Sequence, residues 1–241
     1  MPPIHKRSAG NEHMWGITDA ELQALMVSLT VAGVGLLVSM PLALLTGWAL
    51  ARWQFWGKTA LDIIVHLPLV MPPVALGYLL LLALGPRGPI GEPLQSWFGI
   101  NLAFSWSGAV IVAAVSGFPL AVRAIRISAE NVEERLLQAA RTLGQSPFGA
   151  FATIALPLMV PGIVAGGVLA FARALGEFGA TITFAASIPG ETRTLPLALY
   201  TFLQMPGGEQ AALRVLILSV TVAVAALVAS EYLVRRSARQ R

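Results

Sequence analysis

Long runs without a charged side chain dominate the chain. Leu22 to Ala51 lies between Glu21 and Arg52, and Ile63 to Pro86 lies between Asp62 and Arg87. Pro93 to Val122 is uncharged too, but its polar start (Gln95, Ser96, Gly99, Asn101) moves the helix to about 103–125. Thr142 to Ala172 is interrupted by Ser146-Pro147, which reads as a helix boundary. The last apolar run carries Arg214 and Glu231 only at its ends. A crossing helix needs roughly 20 apolar residues. The pattern therefore predicts an all-α chain with five spans, at about 22–51, 61–85, 103–125, 156–182 and 213–234. Ala185 to Gln210 is apolar but broken by Pro189-Gly190, Pro196 and Pro206-Gly207-Gly208. It reads as a long extramembrane or re-entrant connection with a short helix near Leu195 to Leu203. Irregular backbone at membrane depth survives only against protein or a wet cavity.

Composition turns this pattern into a class. Of 241 residues, 56% are hydrophobic and 12% charged, against about 25% charged in soluble domains. That excludes an ordinary soluble enzyme, a disordered chain and a fibrous protein. Cysteine is absent, which removes disulfides, thiolate metal sites and a cysteine nucleophile. His5, His13 and His66 are widely spaced and suggest no metal site. No nucleophile–base pair stands out, so neither a catalytic site nor a cofactor is expected. The net charge of +4 reports topology rather than nucleic-acid binding.

Five spans place Arg52, Lys58, Arg123, Arg126, Arg135, Arg141, Arg235, Arg236, Arg239 and Arg241 on one side. Lys6, Arg7, Arg87, Arg193 and Arg214 fall on the other. The richer side is expected to be cytoplasmic. Residues 1–20 then form an extracytoplasmic tail, 21–234 the membrane domain, and 235–241 a basic cytoplasmic tail. Trp48, Trp53, Trp56 and Tyr232 would anchor inner ends, with Trp97 and Trp106 at an outer end. The N-terminal tail lacks an apolar core and does not read as a cleaved signal peptide.

The loop 130–157 is unlike its neighbours. Glu130 to Leu143 predicts an amphipathic helix capped by Asn131, with Glu134 as its reciprocal partner. Val132, Leu136, Ala140 and Leu143 form one apolar stripe, and Gly144 is placed to end the helix. Ser146 then caps a second helix with Pro147 at its first position. On pattern alone this fits a surface helix packed on its own domain as well as a docking helix. Gly57-Lys58-Thr59 resembles the end of a phosphate loop, but the leading glycine position holds Arg52 and no strand precedes it. ATP would have to be hydrolysed by another polypeptide.

Gln138-Ala139-Ala140, three residues, Gly144, nine residues, Ile154, one residue, Leu156-Pro157 resembles the signature loop of binding-protein-dependent ABC importer permeases. Gln138 stands where that family commonly has Glu. The resemblance implies that Gln138, Ala139, Ala140, Gly144, Ile154, Leu156 and Pro157 form the loop that couples to an ATPase. Further runs are similar to molybdate permeases: His66 to Val74 with Gly77 to Leu80, Phe118-Pro119-Leu120, Val122 to Arg126, Leu169 to Phe184, and Ile188 to Thr194. The run from Leu175 to Ala180 is shared with sulfate and thiosulfate permeases. The run from Pro189 to Thr194 resembles molybdate permeases more narrowly.

This resemblance implies a type I ABC importer permease in the bacterial inner membrane. It implies a homodimer of this chain with two ATPase subunits, an external molybdate-binding protein and membrane lipid, and no nucleic acid. Tungstate, sulfate or thiosulfate are the alternative cargoes, and a proton-coupled secondary transporter is a competing class.

Arg173 and Glu177 are the ionisable pair inside a span, four residues apart. Such residues usually face a cavity or a partner. At 1.5 Å per residue, a helix starting at Leu156 carries Arg173 about 25 Å up. With Gly176 and Gly179 the pair either braces helices or lines an outer gate. Pro68, Pro72 and Pro73 predict a kink or hinge in the second span. Asp62 and His66 read as an interfacial pair. Gly162 and Gly166 would permit close helix contact, within the chain or between copies.

Overall fold

The computed structural model describes residues 16–239. The tail through residue 15, with Lys6, Arg7, His5 and His13, and residues 240–241 lie outside the described residues. All regular structure among the described residues is helical. In order the helices are α1 (Asp19–Arg52), α2 (Lys58–Val70), α3 (Pro73–Leu84), α4 (Gly91–Phe98), α5 (Trp106–Glu130) and α6 (Glu134–Thr142). They continue as α7 (Pro147–Ala150), a wide-turn π segment (Phe151–Ala155), α8 (Leu156–Leu175), α9 (Gly179–Phe184), α10 (Leu195–Leu203) and α11 (Glu209–Arg239). Four stretches are long and apolar enough to cross a membrane: Asp19–Arg52, Trp106–Glu130, Pro147–Leu175 and Glu209–Ala229.

Two expected spans differ in form. The second is not one helix. Met71 and Pro72 separate α2 from α3, with both residues in extended conformation. Pro72 pushes the residue before it out of the helical region, and Pro73 opens α3 at a position where its missing N–H costs nothing. Pro68 is accommodated inside α2.

In the fourth apolar region the helical stretch begins at Pro147, ahead of the expected span start at Leu156, and ends at Leu175 rather than at 182. The π segment carries the chain through the expected boundary. Its closing bond runs from the Leu156 N–H to the Phe151 carbonyl. A proline ring clashes with the carbonyl four residues back, here Thr153, and the wide turn just before Pro157 makes room for it.

The bundle core is the contact of α1, α5 and α8. Leu50, Val122, Ile125, Ala129, Ala155 and Met159 are fully buried and pack together. Small residues set the spacing. A Cβ on Gly47 of α1 would lie 2.8 Å from Ile125, and one on Gly162 of α8 would lie 2.2 Å from the Ser128 Cβ of α5. Gly166 faces the Ala121 carbonyl of the same helix. The Gly162–Gly166 face is therefore filled from within the chain. Backbones this close gain dispersion contacts that lipid tails would not supply.

Glu21 shows how the end of the bundle where α1 begins is closed. Thr18 and Glu21 form a reciprocal cap, with the Thr18 N–H donating to the Glu21 carboxylate at 3.0 Å. That carboxylate is 1% exposed and accepts from Arg214 of α11 at 2.9 Å. A buried acid at a helix start is favoured by the dipole and here also has a guanidinium partner. The Ser28 hydroxyl accepts from the Leu195 N–H, which ties α10 to α1.

Candidate coupling surface and gate

At the end of the bundle where α1, α2 and α5 finish or begin, charged groups knit the elements together. Arg52 donates through Nη2 to the carbonyls of Ala129 (2.7 Å) and Val132. Ala129 is in the last turn of α5 and Val132 just beyond it, and a cation there matches the helix dipole. Arg126 bridges Asp62 of α2 at 3.0 Å and Glu130 at 2.9 Å. His66 Nδ1 sits 2.9 Å from the Asp62 carbonyl and 3.1 Å from its carboxylate. The expected Asp62–His66 pair thus belongs to a larger cluster. Arg126 was not singled out by the sequence because its partner is 64 residues away.

Beyond this cluster comes α6, which packs on α7 and the π segment. It starts at Glu134, with Glu133 as its cap and no capping side chain. Asn131 instead ends α5, so the expected Asn131–Glu134 capping box is absent. The α5 helix simply runs on through Glu130, and the chain has one less loop residue than the pattern suggested. The C-terminus is as expected. Gly144 has φ +91°, the Gln145 N–H donates to the Ala140 carbonyl and the Gly144 N–H to that of Arg141. This paired closure needs a left-handed residue, and glycine adopts that conformation without a Cβ clash. Ser146 caps α7 by accepting from the Gly149 N–H at 3.0 Å, with Pro147 at the first position.

The apolar stripe does not face inward as a unit. Ala140 is buried, and Leu137 packs against the core. Leu136, Leu143 and Phe148 are exposed, Leu143 at 86% and Phe148 at 77%. Gln138 and Ala139 are exposed as well, and Gln138 makes one long contact of 3.5 Å to Glu134. Further along, Ile154 and Leu156 are half-buried and Pro157 exposed. Ile154 lies within the π segment, and Leu156-Pro157 opens α8. The signature positions therefore divide. Ala140 anchors the helix, Gly144 turns the chain, and Gln138 and Ala139 present an outward face beside bare apolar side chains. Such a face costs solvation free energy unless something covers it.

The other candidate region lies where α8 stops. Arg173 Nη1 is 2.6 Å from Glu177 Oε2, and Glu177 is 2% exposed. The two do not share one helix face, because α8 ends at Leu175 with Gly176 as its cap. The pair spans the break. The second carboxylate oxygen of Glu177 accepts from the Ala180 N–H at 2.9 Å. Glu177 thus joins the last turn of α8 to the first turn of α9.

The structure brings Gly179 and Pro73 together: a Cβ on Gly179 would lie 2.8 Å from the Pro73 Cβ. One on Gly77 would lie 2.6 Å from the Ala180 carbonyl. So the break in the second apolar region and the break after α8 pack on each other. Two residues in left-handed conformation flank α9, Phe104 (φ 56°) and Ala186 (φ 63°). The Phe104 N–H donates to the Phe184 carbonyl.

Residues 39–239 match the family of binding-protein-dependent transport system inner membrane components. The chain is 56% identical over 221 residues to the molybdenum transport system permease protein ModB of Escherichia coli K12, covering 92% of this chain and 96% of that one. It is 52% identical to the protein of the same name from Haemophilus influenzae, covering 90% of this chain and 94% of that one. Among solved structures it is similar in fold to a chain of a bacterial ABC transporter that imports alginate (TM-score 0.73, 18% identity, 91% and 80% covered). It is similar also to a chain of the MetNI methionine ABC transporter (TM-score 0.66, 16% identity, 93% and 97% covered).

Proposed function

The chain belongs to the binding-protein-dependent transport system inner membrane components, and on that footing we propose that it is the membrane permease subunit of an ATP-driven molybdate importer. The observation that carries the reading is identity of 52–56% to two molybdenum permeases over at least nine-tenths of each chain. The architecture supports it: an exposed short helix closed by Gly144 at one end of the bundle, and a paired break at the other.

We infer a homodimer with two ATPase subunits and an external molybdate-binding protein. The chain crosses the membrane five times, with α2 and α3 together making the second crossing. The N-terminus lies outside and the loop 130–157 in the cytoplasm. ATP-driven closure of the ATPase pair moves α6 through contacts on Gln138, Ala139 and neighbouring apolar side chains. That motion reaches the core through Leu137, which packs on the core cluster, and through the π segment and α7 beneath α6.

At the outer end, Arg173, Gly176, Glu177 and Gly179 form the gate, and Pro72 and Pro73 supply the matching break in the facing segment. Arg173 is a transient waypoint for the dianion. Its charge is largely matched by Glu177, and a weak site suits conduction better than a tight one.

Reconstitution with the ATPase and binding protein in vesicles tests the reading. Molybdate uptake should require ATP inside, and sulfate should compete poorly. Uptake driven by an ion gradient with no ATPase present, or a preference for sulfate, would overturn it.

A further inference from the structure

We propose that a groove beside α6 binds one anionic phospholipid of the inner leaflet per copy of the chain. The groove has a volume of about 800 Å³, within the range of small-molecule sites. One wall is the last turns of α1, with Leu45, Trp48 and Ala49. The other comprises α6, with Leu137, and the stretch from Pro147 to Phe151. Trp48 packs edge-on against Phe151 at 4.8 Å.

The lining is mainly apolar, yet it holds two guanidinium groups, Arg52 and Arg141. Neither has a carboxylate partner among the described residues. Arg52 is committed only to neutral carbonyls and to the Trp48 ring at 5.6 Å, and its buried Nε has no acceptor. Glu134 also lines the groove, but its contact is to Gln138. The local charge is thus positive by one.

Depth selects the occupant. α1 is a membrane-crossing helix ending at Arg52, so its last turns meet the acyl–headgroup boundary, where tryptophan also prefers to sit. An acyl chain suits the apolar walls, and a phosphate suits Arg141 and Arg52, neither of which has a carboxylate partner among the described residues. Basic pockets between helices on this side of a membrane recognise anionic headgroups in this way. The proposal rests on this end being cytoplasmic. It makes the lipid a wedge between α1 and the coupling helix.

The test uses the complex purified with its ATPase subunits, stripped of lipid and titrated with phosphatidylglycerol. Phosphatidylcholine serves as the neutral control, and bound lipid is counted by native mass spectrometry. One phosphatidylglycerol per copy should be retained, and phosphatidylcholine should not. Arg141→Gln and Arg52→Gln should each weaken binding about fivefold, the worth of one basic side chain at a membrane surface. Arg52→Lys keeps the charge and should bind within about twofold of the parent.

Ala49→Trp fills the groove without changing charge and should abolish retention. Equal retention of the two lipids, or phosphatidylglycerol binding unchanged in Ala49→Trp, would overturn the proposal. So would cross-linking of a cysteine placed at Leu45 to an ATPase subunit in the assembled complex. Lipid counting needs neither ATP nor molybdate, so a failed transport reading shows in the uptake assay and leaves this measurement standing.

Discussion

Glu177 joins α8 to α9, because it answers both a guanidinium and a helix N-terminus. Replacing it by Ala leaves Arg173 without its partner and the Ala180 N–H without its acceptor. Breaking a buried pair on one side costs about 3–5 kcal/mol. Arg173 is partly exposed (28%), so we expect about 2 kcal/mol of destabilisation for Glu177→Ala, read as a lowered unfolding midpoint in detergent. Arg173→Lys should keep stability but slow uptake while ATP turnover persists. Uptake with unchanged kinetics in both Arg173→Lys and Arg173→Ala would exclude Arg173 from the pathway. Gly144 makes a second prediction. Gly144→Ala meets no steric obstacle but must hold φ +91°, at a cost of about 1–2 kcal/mol, so the α6 turn should loosen and uptake fall without loss of the folded chain.

Elements respond differently from residues, because a helix can be present and still be uncoupled. Ala139 is exposed on α6 and touches nothing in the core. Ala139→Arg is therefore expected to leave expression and thermal stability within about 0.5 kcal/mol of the parent, as surface changes usually do. It should nevertheless reduce molybdate-dependent ATP hydrolysis by an order of magnitude or more. The equivalent change at Ala140, which is 4% exposed, should lower stability as well, and a melting curve on each variant separates the two cases. Between α5 and α8 the limit is steric. Gly162→Leu has no space against Ser128, and the bundle should fail to accumulate in the membrane. Element boundaries were legible where local chemistry sets them: Gly144, Ser146-Pro147 and the short helix Leu195–Leu203. They were misread where neighbours decide. Asn131 has the look of an N-cap, but α5 runs through Glu130 and Asn131 closes it, while Arg52 donates to the carbonyls of Ala129 and Val132. The fourth apolar region is expected to start near Leu156, yet a wide turn keeps the helix continuous from Pro147.

At the scale of the molecule, four long apolar stretches and an exposed apolar face on α6 fit the proposed role of a subunit within a larger transporter. Its scarce charge is spent on joints: Glu21 with Arg214, Asp62 with Arg126, Arg173 with Glu177. A cysteine pair placed across the inferred two-fold, screened by oxidative cross-linking in membranes, should yield dimers of this chain alone. Failure of every tested exposed position on α2, α3 and α5 to cross-link would refute the homodimer. Competition in vesicles should rank molybdate above sulfate only when the binding protein is present, since at the proposed gate Arg173 is already paired with Glu177.

The class of the protein, its apolar segments and the spacing of its signature loop were set by the sequence itself. Hydrophobic run length and fixed spacing are local properties that survive without knowledge of neighbours. Which charges pair, where the second and fourth apolar segments break, and which face of α6 stays bare were decided only by the tertiary structure. Those outcomes depend on groups far apart in the chain. Arg126 reaches Asp62, Arg52 reaches the end of α5, and the break at Pro73 meets Gly179. Close packing of glycine-lined helices, not local preference, fixes where such groups meet.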